Sequence, residues 1–154
     1  MVPASPEPAS PVIRPAKPAD AAAIAEVHLA AFRATYAFPP AHRDEEVRAW
    51  VGEHLLPETE TWVAELDRAV VAYCSLGNGW VEHLYVAPGH TGRGTGSRLI
   101  ELAKERQPSG LQLWTFQVNA GARRFYERHG FRPMETTDGA ANEERQPDVR
   151  YAWK

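Results

Sequence analysis

The run Thr91-Gly92-Arg93-Gly94-Thr95-Gly96-Ser97 lies between an apolar, strand-like segment and a segment of helical period. A helix start leaves backbone N–H groups without partners, and the helix dipole adds positive potential there. Glycines let the main chain take positive φ and come close to phosphate oxygens. Arg93 can add a charge-assisted contact. The run therefore suits an anion, although a plain glycine-rich entry into a helix fits the same letters. No lysine follows the glycines, which sets aside the nucleoside-triphosphate loop. The turn also follows two hairpins rather than the first strand of a βαβ unit, which argues against a nicotinamide dinucleotide.

Other reactive side chains say less. Cys74 is the one cysteine; it sits mid-strand among apolar neighbours and reads as core rather than as a nucleophile. His28, His42, His54, His90 and His129 show no metal-ligand spacing, so they read as surface or satisfied core residues and no metal is expected.

The elements that hold the glycine run can be followed along the chain. Residues 1–11 are rich in Pro, Ala and Ser and read as a disordered tail; 12–154 read as a single domain. Val12 to Arg14 suits a short strand before Pro15 and Pro18. Ile24, Val27, His28, Ala31 and Phe32 recur at helical spacing, giving a helix from about Asp20 to Thr35. After Phe38-Pro39-Pro40, a second helix opens at Asp44, with Val47, Trp50, Val51, His54 and Leu55 on one face, and ends before Pro57. From Thr61 the period becomes two. Thr61–Leu66 and Ala69–Leu76 form a hairpin about Asp67-Arg68, and Trp80–Val86 follows the Gly77-Asn78-Gly79 turn. A helix follows the glycine run, then a strand over Leu111–Val118. A helix over Asn119–His129 is ended by Gly130, and a closing strand pair, Phe131–Thr136 and Val149–Trp153, completes the chain. The expected fold is α+β: a mixed, mostly antiparallel sheet of about six to seven strands flanked by about four helices, with one parallel or splayed pairing around Gly94.

Composition narrows the class. The 154 residues make one domain, 44 % apolar and 24 % charged, with a net charge of −3. The acidic balance gives no reason to expect nucleic acid or an anionic membrane as partner. A single cysteine, no long apolar span and no basic-then-apolar start point to a cytoplasmic protein. A homodimer is compatible with the sequence.

The segments EHLYVAPGHTGRGTGSRLI and NAGARRFYERHGF together resemble the GNAT superfamily of acetyl-CoA-dependent N-acetyltransferases, and the resemblance extends over nearly the whole chain from Val12. The first segment is similar to the family's strand, β-bulge and pyrophosphate loop; the second is similar to its Asn-to-Tyr helix and Gly-Phe ending. Thr91 stands where the family usually has Gln or Arg. The resemblance implies an acyl-CoA N-acyltransferase fold with Trp80–Val86 and Leu111–Val118 splayed apart. Pantetheine would lie between them, along Leu84, Tyr85 and Val86. The pyrophosphate would rest on Gly92, Arg93, Gly94, Thr95, Gly96 and Ser97, with Thr91 beside it. Asn119 would lie near the pantetheine arm and Tyr126 near the sulfur.

Acetyl transfer to an amine requires deprotonation of the ammonium, stabilisation of the oxyanion and protonation of the leaving thiolate. On the resemblance, Tyr126 is the acid. Glu82, sharing strand parity with Leu84 and Val86, is the base, acting directly or through water. Some family members carry a glutamate two residues earlier, where this chain has Trp80, and His83 is the alternative base. The segment from Phe32 to His42, with Tyr36 and Phe38, would line the acceptor site. Asp138, Glu143 and Glu144 would either draw in a cationic amine or form a solvated loop. The expected activity is transfer of the acetyl group to a primary amine, of a small molecule or a peptide, by direct attack in a ternary complex. A non-catalytic acetyl-CoA-binding module is the alternative. An acetyltransferase toxin acting on aminoacyl-tRNA is disfavoured by the acidic balance.

Overall fold

A computed structural model describes residues 10–154; residues 1–9, most of the expected tail, lie outside the described residues. Seven strands form one sheet in the order β1-β2-β3-β4-β5-β7-β6: β1 (Val12–Pro15), β2 (Glu60–Leu66), β3 (Ala69–Gly77), β4 (Trp80–Val86), β5 (Leu111–Phe116), β6 (Arg132–Thr137) and β7 (Asp148–Trp153). All pairings are antiparallel except β4 with β5. Asp67 and Arg68, both at positive φ, make the tight turn that joins β2 to β3 with the twist a hairpin requires. Four helical segments flank the sheet, an α+β arrangement.

Both faces of the sheet are covered. On one face lie α4 (Thr95–Arg106) and α5 (Ala120–Arg128). Leu99, Ile100, Ala103 and Tyr126 pack there against Cys74, Leu76, Val81, Leu113 and Tyr151. On the other lies α1 (Ala21–Thr35), with Ile24, Ala25 and Val27 against Val63 and Tyr73, joined by Val51 and Leu55. Complete burial of Leu99 and Ile100 contributes about 1.5–3 kcal/mol each, which fixes α4 and hence the glycine turn against the sheet. Among the described residues no helix is long and apolar enough to cross a membrane.

Three local departures from the sequence expectations bear on the site. The second helix does not stop before Pro57: α2 (Asp44–Trp50) runs through a π turn (Val51–Leu55) into a last short turn, α3 (Leu56–Glu58). The N–H of Leu56 donates to the carbonyl of Val51, and the widened turn seats Pro57 in the first turn of α3, where its missing N–H costs little. The strand expected over Leu111–Val118 ends at Phe116, because the Asn119 N–H turns back to the Phe116 carbonyl at 3.0 Å. Finally, the β3–β4 register pairs Ser75 with His83 but Leu76 with Val81, so Glu82 is an extra residue, a β-bulge. The bulge breaks the parity expected for Glu82. Val81, not Glu82, is the side chain buried in the same cluster that Leu84 packs against.

Candidate active site

Two structural features make a site at the centre of the sheet. The first is the glycine turn. Gly92 and Gly94 take φ of +73° and +83°, and Gly94 is the left-handed residue that precedes α4. The first main-chain bond of the helix runs from the Arg98 N–H to the Gly94 carbonyl, 3.0 Å. The N–H groups of residues 91–97 have no main-chain acceptor among the described residues. They are the unpaired donors expected at a helix start, left open by glycines without Cβ atoms. Thr91, Gly92, Arg93 and Gly94 are exposed, Gly96 and Ser97 half-buried, and Thr95 is buried. The Ser97 hydroxyl is committed to His129 Nε2 at 3.0 Å, leaving its main-chain N–H for a ligand.

The second feature is the opening between β4 and β5. These parallel strands meet at a single pair, Trp80 with Gln112, backed by the Gln112 N–H to the Gly79 carbonyl at 2.9 Å. Beyond that point they diverge, and the edge of β4 that faces β5 is left without a ladder. A cavity of about 1080 Å³ fills the divergence and widens towards α1 and α2. Of the residues singled out from the sequence, Phe32, Tyr36, Glu82, His83, Leu84, Tyr85, Asn119 and Tyr126 all line it. Val86 and residues 91–97 are not part of its walls. Val86 instead adjoins the start of α4, its Cγ2 lying 3.8 Å from where a Cβ on Gly96 would stand, with the Phe125 ring 3.5 Å from the same point. The cavity and the open donors thus both adjoin β4, the first along Val81–Tyr85 and the second next to Val86.

Within the cavity the side chains differ in chemistry. Tyr126 is 8 % exposed and its hydroxyl has no hydrogen-bond partner among the described residues. Burial raises its pKa well above that of a free phenol, so the proton stays on at neutral pH. Asn119 caps α5: its Oδ1 accepts from the Ala122 N–H at 3.0 Å, while its Nδ2 donates to the Tyr36 hydroxyl at 2.9 Å. Tyr36 is stacked on Phe38 and edge-on to Phe116, and burial raises its pKa. Glu82 is exposed and lies beside Gly77, where an added Cβ would come within 2.6 Å of its Oε1. His83 is half-buried and its pKa is lowered to about 3, by burial first and then by His28. Burial alone lowers His28 to about 4. Cys74, by contrast, is sealed in the core, and burial pushes its thiol up to about 12.

Sequence reading missed several wall residues. His28, His42 and His54, which the sequence marks only as surface or satisfied core, all line the cavity, as do Trp50, Glu46 and Glu53. His42 bridges Glu46 (3.4 Å) and Glu143 (2.9 Å), tying the segment after α1 to the β6–β7 loop. Of the three loop carboxylates, Glu143 and Glu144 line the cavity, whereas Asp138 caps its own turn through the Ala140 N–H at 2.9 Å. The signal that could have found His28 was its place on the apolar stripe of α1, which marks a residue facing the sheet but not an opening in it.

The model of the acetyltransferase (GNAT) domain matches residues 57–133, half of the chain, and the protein belongs to the GNAT family of acetyltransferases. It is 29 % identical over 121 residues to the peptidyl-lysine N-acetyltransferase YiaC of Escherichia coli, an alignment covering 78 % of this chain and 82 % of that one. Among solved structures, the GCN5-related N-acetyltransferase from Rhodopseudomonas palustris superposes with a TM-score of 0.78 at 22 % identity, covering 98 % of this chain and 99 % of that one. The PaiA N-acetyltransferase from Thermoplasma acidophilum, in complex with coenzyme A, gives a TM-score of 0.74 at 22 % identity, with 95 % and 99 % covered.

Proposed function

We propose that the protein transfers the acetyl group of acetyl-CoA to a primary amine by direct attack within a ternary complex. The observation that carries this reading is the placement, beside β4, of unpaired main-chain donors at residues 91–97 and a cavity that Tyr126 lines. The residues suit the co-substrate. Donors at the start of α4 match a diphosphate, and the unladdered edge of β4 at Leu84 and Tyr85 matches an amide-bearing arm that pairs as an added strand would. When bound, the thioester supplies the activated acetyl group.

The chain's own groups then have distinct tasks. Main-chain N–H groups of β4 that face the gap can polarise a carbonyl oxygen. Tyr126, held protonated by burial, donates towards the leaving sulfur as negative charge builds on it. Glu82 takes a proton from the incoming ammonium, directly or through water. His83, with its basicity reduced to a pKa of about 3, is the poorer acceptor. Glu143, Glu144, Glu46 and Glu53 give the mouth a negative lining that favours a cationic amine. A peptide amine is supported by the likeness to a peptidyl-lysine acetyltransferase. A reducing, cytoplasmic setting suits the one cysteine.

The test is thiol release on mixing the protein with acetyl-CoA and a panel of alkylamines, lysine peptides and peptide N-termini, beside calorimetry with coenzyme A alone. Release with at least one amine is expected. Coenzyme A binding without release on any amine would make the protein a binding module instead.

A further inference from the structure

The innermost wall of the cavity, on the α1 side of the sheet, is made of rings. His28 stands at its centre: its ring centroid is 4.8 Å from Tyr85, 5.7 Å from His83 and 5.7 Å from Trp50. Its Nδ1 lies 2.7 Å from the hydroxyl of Tyr73, a residue with no solvent exposure at all. His28 Nδ1 is the only hydrogen-bond partner of that hydroxyl among the described residues.

This geometry selects a tautomer. If His28 carried its proton on Nδ1 and donated to Tyr73, the phenolic O–H would be buried with nowhere to donate, at a cost of about 1–3 kcal/mol. If Tyr73 donates to a bare Nδ1, the phenol is satisfied and the imidazole proton must sit on Nε2. Among the described residues Nε2 has no hydrogen-bond partner, yet it is not sealed from solvent. His28 also lines the cavity. The rings packed on it carry no charge at neutral pH, and burial keeps the imidazole itself neutral. Of the uncharged N–H groups that His28, His83 and Trp50 bring to this wall, the His28 Nε2–H is the one whose tautomer a buried partner, Tyr73, fixes.

An N–H donor has no use for an ammonium, which is itself only a donor; it needs an oxygen acceptor. The carboxylates that line the cavity are Glu46 and Glu53 on the segment 44–58, Glu82 on β4, Glu143 and Glu144 on the β6–β7 loop and Asp148 at the start of β7, and among the described residues none of them hydrogen-bonds to His28. Building on the proposed acetyl transfer, we infer that His28 is a specificity-determining residue whose Nε2–H donates to a carbonyl oxygen of the acceptor. The preferred acceptors are amines that also carry an amide, as peptides do, rather than simple alkylamines. Tyr73 is the positioning residue that holds the donor tautomer.

The experiment compares two matched pairs: Nα-acetyl-lysine N-methylamide against n-pentylamine, and alaninamide against isopropylamine. Each pair shares its amine and differs in the amide. Protein labelled with nitrogen-15 histidine, in the presence of coenzyme A, is titrated with each probe. Wild-type His28 should show a pyridine-type Nδ1 and a pyrrole-type Nε2 in the free protein, and the Nε2 signal should move with at least one amide probe and not with its alkylamine partner. The double variant His28→Phe, Tyr73→Phe removes both hydrogen-bonding partners at once, so no orphaned O–H threatens folding. In it the preference for the amide, read as the ratio of kcat/KM values, should fall about tenfold, chiefly through KM, the effect of one lost hydrogen bond. A pyrrole-type Nδ1, an Nε2 signal unmoved by either amide, or an unchanged ratio in the double variant would overturn the inference. If the wild-type protein releases no thiol with any amine, the proposed transfer fails, while the titration still decides the role of His28.

Discussion

Acid should unfold this protein earlier than its carboxylates would require, and the cause should be two histidines. His28 and His83 are held with pKa values of about 4 and about 3, against an ordinary 6.5. Both are depressed, so between those values and 6.5 the unfolded chain binds protons that the folded chain refuses. Their contribution is complete above pH 6.5 and drains away as pH falls towards 4. Each pH unit in that window costs about 1.4 kcal/mol per group, so by pH 4.5 each histidine removes roughly 2–3 kcal/mol. Against a typical total of about 5–15 kcal/mol, the pair is decisive. His42 works in the opposite sense: its pKa is raised by Glu143 and then Glu46, so its pairing strengthens as pH falls through its own pKa. That pair is half-exposed, and such contacts contribute at most about 1 kcal/mol, too little to mask the loss. Asp20, lowered by Arg14, titrates below the window. The assay is urea denaturation at pH 7.5, 6.5, 5.5 and 4.5 for the wild type and for His28→Gln and His83→Gln. Each variant should be less stable than wild type at pH 7.5 yet lose less stability on acidification, its curve flatter by roughly 2 kcal/mol between pH 6.5 and 4.5. Parallel curves for all three proteins would refute the reasoning.

Other outcomes follow from the site. Tyr126→Phe should lower turnover by about 10²-fold or more while coenzyme A affinity, by calorimetry, and melting temperature hardly change, because among the described residues the hydroxyl has no partner to orphan; equal turnover would remove Tyr126 from the donor role. Glu82→Gln should reduce turnover by about 10²-fold with KM for acetyl-CoA unaltered; unchanged turnover would reassign the base. Gly94→Val places a β-branched residue at φ +83° and should abolish coenzyme A binding in the same calorimetry, where retained binding would count against the turn as the diphosphate site. Gly139→Ala, at φ +85° with its Cβ 2.3 Å from the Gln146 carbonyl carbon, should cost on the order of 3 kcal/mol in chemical denaturation; a cost below 1 would show that the loop yields freely.

The elements that follow from local patterning were legible in the sequence. Period-two runs gave β2, β3 and β4; helical periods gave α1 and α4; and Gly94, Asn119 and Gly130 marked helix ends through their own backbone and side-chain chemistry. Those signals depend on residues near one another in the chain. The glycine turn belongs with them, because its open donors are set by the helix start and its glycines.

What the tertiary structure decided depends on pairings between distant residues. Whether Glu82 follows strand parity depends on how β3 aligns beside it, and the register with Ser75 and Leu76 makes it a bulge. A single bridge between Trp80 and Gln112, followed by divergence, opens a cavity that no periodicity encodes. His28 presents one chosen nitrogen to that cavity because Tyr73, 45 positions away, takes up the other. Secondary structure is selected by local sterics and hydrogen bonding, whereas the chemistry of a buried side chain is set by whichever groups the folded chain brings to its edges.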